Sequence, residues 1–187
     1  MSFQEVVRKV LADPLYAEYV EFGEPRSGHP EGKVKNHIVA LEENLERYKP
    51  RLIDDEYWKL RFLIHTHDTL KAVAMPDVPS FSPGHHAVLA RDFAASFTSN
   101  PDLLNIIYYH DENFYLWKQL KKTGQYEKAR LERLLTAIND LDLFLIFILI
   151  DGCVPGKDFR KLDWFIDEVR KLRATRVDKS WILENPQ

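Results

Sequence analysis

The residues of this chain best suited to chemistry lie in His65-Thr66-His67-Asp68-Thr69-Leu70-Lys71. On a helix, adjacent side chains project about 100° apart, so His67 and Asp68 can both reach one metal ion while the carboxylate's second oxygen reaches another. A His-Asp dipeptide alone means little, and a hydrogen-bonded core histidine is the simpler reading of any single inward imidazole. The seven histidines, however, all fall between His29 and His110. Helical spacing turns several of them, with two aspartates, toward the same interior.

The elements that must position these groups follow from apolar periodicity. Phe3, Val6, Val7, Val10 and Leu11 predict a first helix capped by Ser2 and closed by Pro14, with a short continuation from Tyr16 to Phe22. Gly23, Pro25, Gly28, Pro30 and Gly32 predict a loop that carries Arg26 and His29. The next helix starts near Val34, shares one face among Val34, His37, Ile38, Leu41 and Leu45, and stops before Pro50. Asp54 or Asp55 is expected to cap a helix with the inner stripe Leu60, Leu63, Ile64 and His67, Asp68 lying at its edge. His65 falls on another face, which predicts a supporting or surface role.

After a loop from Met75 to Gly84, stepping from His86 gives Leu89, Ala90, Phe93 and Phe97, so His86 rather than His85 is expected to face the core. Pro101 opens a helix whose Leu103, Ile106 and Ile107 lead to His110. A polar, charged stretch from Asp111 to about Lys128 follows. One long helix then carries Leu131, Leu134, Leu135, Ile138, Leu141, Phe144, Leu145 and Ile148, with Asp151 next on that face. Leu162, Phe165, Ile166, Val169 and Leu172 predict a last packing helix, and strand alternation is lacking. The expected fold class is all-α: a helical bundle in a single domain over 1–187, with its motif core at 34–151 and a packing segment at 152–187.

Size and composition fit that picture. With 187 residues, 45% of them hydrophobic and 12% aromatic, the chain can bury a substantial core. A formal charge of −3 gives no global reason to expect nucleic acid or an anionic membrane as partner. The longest apolar run, Leu143 to Ile150, has eight residues, far short of the roughly 20 that cross a bilayer. A lone cysteine, Cys153, and the lack of a basic-then-apolar leader make the cytoplasm the expected location.

Burying His37, His67, Asp68, His86, His110 and Asp151 without partners would cost several kcal/mol each, by order of magnitude, and metal ions satisfy imidazoles and carboxylates together. Four of them, His37, His67, Asp68 and Asp151, suffice for one ion. His86 and His110 are then surplus unless a second ion is present, bridged to the first by Asp68. A nitrogen and oxygen donor set without thiolate suits Fe, Mn, Co, Ni or Zn.

The order His37, His67-Asp68-x-x-Lys71, His86, His110, Asp151 resembles the HD-domain superfamily of metal-dependent phosphohydrolases. Successive spacings of 30, 18, 24 and 41 residues look like its dinuclear branch, which includes diadenosine tetraphosphate hydrolases and cyclic-di-nucleotide phosphodiesterases. His86-Ala87, Tyr109-His110 and Asp151 followed by Pro155 match steps of that pattern, and His29-Pro30-Glu31-Gly32 looks like the lead-in to the HD domain of bacterial tRNA nucleotidyltransferases. Leu70 stands where a small residue is usual, and the Gly-Tyr-Pro signature of the cyclic-di-nucleotide enzymes is missing. The resemblance implies a hydrolase of a phosphoester or phosphoanhydride in a nucleotide-like small molecule, using two divalent transition-metal ions and a hydroxide that bridges them; it also leaves room for a homodimer.

Asp68 and Lys71 are then the catalytic candidates, Lys71 contacting a phosphate oxygen. Arg26, His29, Lys33 and Lys35 are either further phosphate contacts or a solvated basic loop. Asp111 repeats a His-Asp pair with His110 and is expected to support rather than bridge. Tyr108, Tyr109, Phe114 and Trp117 serve either base stacking or core packing. Two rivals use the same ligands: a di-iron oxygenase of the myo-inositol oxygenase type, and a non-catalytic binding or regulatory module.

Overall fold

The computed structural model describes residues 1–25, 32–154 and 157–183. Every regular element among them is helical, as the apolar spacing predicts. Arg26 and His29, and the motif positions Pro30, Glu31 and Pro155, lie outside the described residues. No helix among the described residues is long and apolar enough to cross a membrane. The chain forms two compact units, one from Met1 to Tyr108 and the other from Tyr109 onward.

The first unit is built on α4 (Asp54–Thr66), which packs against α1 (Phe3–Leu11), α3 (Val34–Tyr48) and α5 (His86–Ala94). Ser2 caps α1 in a box with Glu5, each side chain bonding the other's backbone N–H. Pro14, expected to close that segment, instead opens α2 (Pro14–Tyr19) at a position that needs no N–H, with Asp13 as its cap. Neither Asp54 nor Asp55 caps α4. Ile53 holds that place, and Glu56 accepts its N–H at 3.0 Å, so the two aspartates lie in the first turn, where negative charge is favoured. α6 (Pro101–Tyr109) buries Leu103, Ile106 and Ile107.

The second unit departs from expectation twice. The stretch from Asp111 to Lys128 contains a helix, α7 (Glu112–Thr123), whose inward face is mostly polar: Glu112, Asn113 and Leu116. Glu112 is buried because Arg130 of α8 (Lys128–Ala137) pairs with both its oxygens. The single long helix expected after it is two, α8 and α9 (Leu141–Gly152). Ile138 is extended, and the Asp140 carboxylate accepts the Leu143 N–H at 3.0 Å, capping a new helix. α9 is buried on every face from Leu143 to Ile150, which conceals the break from any periodicity. α10 (Arg160–Leu172) packs on α7 and α9, burying Leu162, Phe165, Ile166 and Val169 while Leu172 is exposed.

Asp140→Ala is expected to cost about 1 kcal/mol, the usual worth of such a cap, read as a lower urea midpoint at unchanged slope. An unchanged midpoint would show that the cap does not hold α9.

Candidate metal centre

α4 stops at Thr66, and this places the chemistry. His67 is its C-cap, still αR, while Asp68 has left the helix at φ −120°, ψ 0° to start a 3₁₀ turn, Thr69–Val73. The pair, expected near the end of a buried helix with Asp68 at its edge, thus lies at the helix end, with Asp68 just outside it. The end is held by its own side chains: the Thr66 hydroxyl donates to Phe62 O at 2.8 Å and the Thr69 hydroxyl to His65 O at 2.6 Å. His67, fully buried, donates from Nδ1 toward Leu63 O and Ile64 O, each 3.1 Å away.

That bond fixes the neutral ring's tautomer and leaves the lone pair on Nε2. Nε2 lies 3.3 Å from Asp68 Oδ2. Two acceptors facing each other in a dry interior repel unless a cation, proton or metal, stands with them. Lys71 already supplies one positive charge, its ammonium pairing with Oδ2. The donor set therefore fits a metal ion.

Two more histidines of this unit join the pair. His37, buried on α3, has its ring 5.8 Å from that of His67 between centroids, and each offers a ligand atom within 4.8 Å of the other's. Asp68 and His86 stand in the same relation. Nδ1 of His37, Nε2 of His67, Oδ1 of Asp68 and Nε2 of His86 are buried atoms that take part in no hydrogen bond among the described residues. These His and Asp groups are able to hold a metal ion.

The order of burial at His85 and His86 is the reverse of the one expected. His85 is buried and His86 half-buried, because His85 is the extended N-cap of α5 and helical stepping does not apply to it. Its Nδ1 accepts the Ala87 N–H at 3.3 Å.

A cavity of about 700 Å³ opens on these groups, lined by Glu21, Phe22, Pro25, Lys33, Val34, His37, Asp68 and Lys71 among others. Its wall is pinned where Gly23 meets Gly32: both have positive φ, and a Cβ on Gly23 would fall 2.5 Å from Gly32 O. Lys33 and Lys35, by sequence either phosphate contacts or solvated cations, pair with Glu21 at 2.9 and 2.7 Å. Of the two, Lys33 lines the cavity.

In the second unit, His110 is buried beyond the end of α6, its Nε2 3.7 Å from Asp111 Oδ1. Asp151 lies half-buried in the last turn of α9, where the Lys157 ammonium donates to its backbone O at 2.9 Å and to Oδ1 at 3.2 Å.

Sequence reasoning missed a network behind the pair. His65, expected on the surface or in support, is buried, with Nδ1 2.6 Å from the Tyr16 hydroxyl and Nε2 2.8 Å from Glu42 Oε1. Arg61 donates to the same Glu42 oxygen at 2.9 Å. Burial, then the Glu42 charge, push the Tyr16 phenol up to about 12; the phenol and His65 Nδ1 share one hydrogen bond, and His65 Nε2–H donates to Glu42. For Glu42 itself burial acts upward, but hydrogen bonds from His65 and Arg61 outweigh it and hold the carboxyl below its usual range. Nothing local in the sequence links residues 16, 42 and 65; only the helix packing does.

With this geometry in place, comparison with known proteins adds no relative. No family model, curated protein or solved structure matches the chain.

The lowered Glu42 pKa makes a pH prediction. A carboxyl whose folded pKa lies below its unfolded value stabilises the fold above the unfolded pKa, and that stability is lost as pH falls through the folded one. Glu42→Gln is therefore expected to lower stability at pH 7 and to flatten its fall between about pH 5 and pH 3, followed by urea unfolding at each pH. Parallel curves for the two proteins would remove Glu42 from the account.

Proposed function

We propose that this chain is a metal-dependent phosphohydrolase acting on a phosphoester or phosphoanhydride of a nucleotide-like small molecule. The observation that carries the reading is the His67–Asp68 contact: a tautomer-fixed nitrogen lone pair beside a carboxylate oxygen, at the wall of a cavity that also presents Lys33 and Lys71. The motif order supplies the rest of the ligand set. By that order His37, His67, Asp68 and Asp151 would hold one divalent ion, and His86 and His110 would help to hold a second.

Bound there, divalent ions supply Lewis-acid charge to phosphoryl oxygens and lower the pKa of water. The chain's own residues do the remainder. Nδ1 of His67, tied to the α4 carbonyls, keeps Nε2 aimed. Lys71 pairs with Asp68 and can turn its remaining protons to a phosphoryl oxygen. Lys33 can exchange Glu21 for a further phosphate oxygen. A di-iron oxygenase would use the same ligands, and Lys71 serves either reading, since a lysine there can also hold a substrate oxygen.

Elemental analysis after reloading with Mn or Fe should find two ions in the wild type, none in Asp68→Ala and one in His110→Ala. Two ions retained in His110→Ala would contradict the ligand set. Lys71→Ala should keep both ions and lose about 100-fold in phosphate release, the scale for removing one preorganised charge-stabilising donor. Substrate-dependent oxygen uptake by the iron form, without phosphate release, would replace the hydrolase reading with the oxygenase one.

A further inference from the structure

The cavity of the first unit carries less free positive charge than its lysines imply. Among its lining residues are three carboxylates, Glu21, Glu24 and Asp68, and two ammoniums, Lys33 and Lys71. Each ammonium is paired with a carboxylate of the same wall, Lys71 with Asp68 and Lys33 with Glu21. The described wall therefore adds no net positive charge to draw in a polyanion.

Glu21 is held in a way that an ordinary surface carboxylate is not. Its Oε2 accepts from Lys33 Nζ at 2.9 Å and its Oε1 from Lys35 Nζ at 2.7 Å. Those bonds, that of Lys35 first, hold the carboxyl below its usual range, so it is ionised at neutral pH. Backbone bonds keep it there: the N–H groups of Val34 and Lys35 donate to Phe22 O at 2.9 Å and Val20 O at 2.8 Å, tying the chain on both sides of Glu21 to the first turn of α3. That turn has no acidic residue of its own, and a helix N-terminus favours an anion. Two ammoniums beside the positive end of a helix make an anion position, and the chain fills it with its own carboxylate. Lys33 alone can turn to a substrate oxygen while Lys35 keeps Glu21. A second phosphoryl group seated on both lysines would have to expel the carboxylate and then lie against it.

We propose that Glu21 is a specificity-determining residue, its carboxylate filling the anion position between Lys33 and Lys35 so that the substrate is limited to a single phosphoryl group. The substrate class is then a phosphomonoester. This rests on the phosphohydrolase reading and narrows it, setting aside phosphoanhydrides and other chains of phosphates. Glu21 takes no part in bond cleavage.

The test is calorimetric titration of the manganese-loaded full chain with propylphosphonate and with trimethylenediphosphonate, which carry one and two phosphoryl groups on C–P bonds that do not hydrolyse. Wild type should bind the two with similar affinity. Glu21→Gln, with both ions kept, should tighten the diphosphonate about fivefold or more and propylphosphonate by less than about twofold, the scale of one unit charge a few ångströms away in water. The gain should shrink in high salt and vanish when Lys33→Met is added to Glu21→Gln. Glu21→Asp should keep the wild-type preference. A wild type that already prefers the diphosphonate by about fivefold or more, or a Glu21→Gln that changes both ligands alike or lowers only the melting temperature, would overturn the assignment. A protein that takes up no ions and binds neither phosphonate would overturn the phosphohydrolase reading itself.

Discussion

The site depends on where α4 ends. Leu63 O still accepts the His67 backbone N–H at 3.0 Å, the bond that closes α4. At the same end the His67 imidazole Nδ1–H lies 3.1 Å from both the Leu63 and the Ile64 carbonyl, which selects the tautomer that leaves the lone pair on Nε2. The same ending swings Asp68 out of helical geometry and brings its carboxylate beside that nitrogen. The hydroxyls of Thr66 and Thr69 complete the satisfaction of the helix end. Threonine is poor in helix interiors, partly because its hydroxyl bonds nearby carbonyls; at this terminus that habit is useful.

Behind the pair, buried polar groups from three helices are joined to one another. Tyr16, His65, Glu42 and Arg61 form a chain of bonds from α2 through α4 to α3, and the ring that joins them lies two residues from His67. A half-satisfied version of this network would cost more than an apolar core, and the His65 ring is satisfied at both nitrogens. Lys71 does the corresponding work on the cavity side, keeping the Asp68 carboxylate paired. The 3₁₀ turn that carries Lys71 packs against α2 and α5, so the lysine sits on supported backbone.

What could be read from the sequence was what a single helical period encodes. Val34, His37, Ile38, Leu41 and Leu45 lie on the buried face of α3 as their spacing demands, and α6 buries Leu103, Ile106 and Ile107 ahead of His110. Elements whose inward face is not apolar were invisible: α7 buries Glu112 and Asn113 through pairing rather than hydrophobicity. The gap between α8 and α9 was hidden for the opposite reason, since apolar residues continue across it and only Asn139-Asp140 marks the turn. Helical stepping misplaces His85 because that residue precedes the helix as its N-cap. The contacts of His65 with Tyr16 and Glu42 bridge 49 and 23 residues of sequence, a distance over which no local pattern operates.

The central claim is that His37, His67, Asp68 and His86 are ligands. Anomalous diffraction from crystals grown with manganese or iron tests it most directly. The account predicts two anomalous peaks, one within coordination distance of His37 and His67 and the other within coordination distance of Asp68 and His86. Peaks confined to surface carboxylates or to Cys153, with these four side chains bonded only to protein or water, would contradict it.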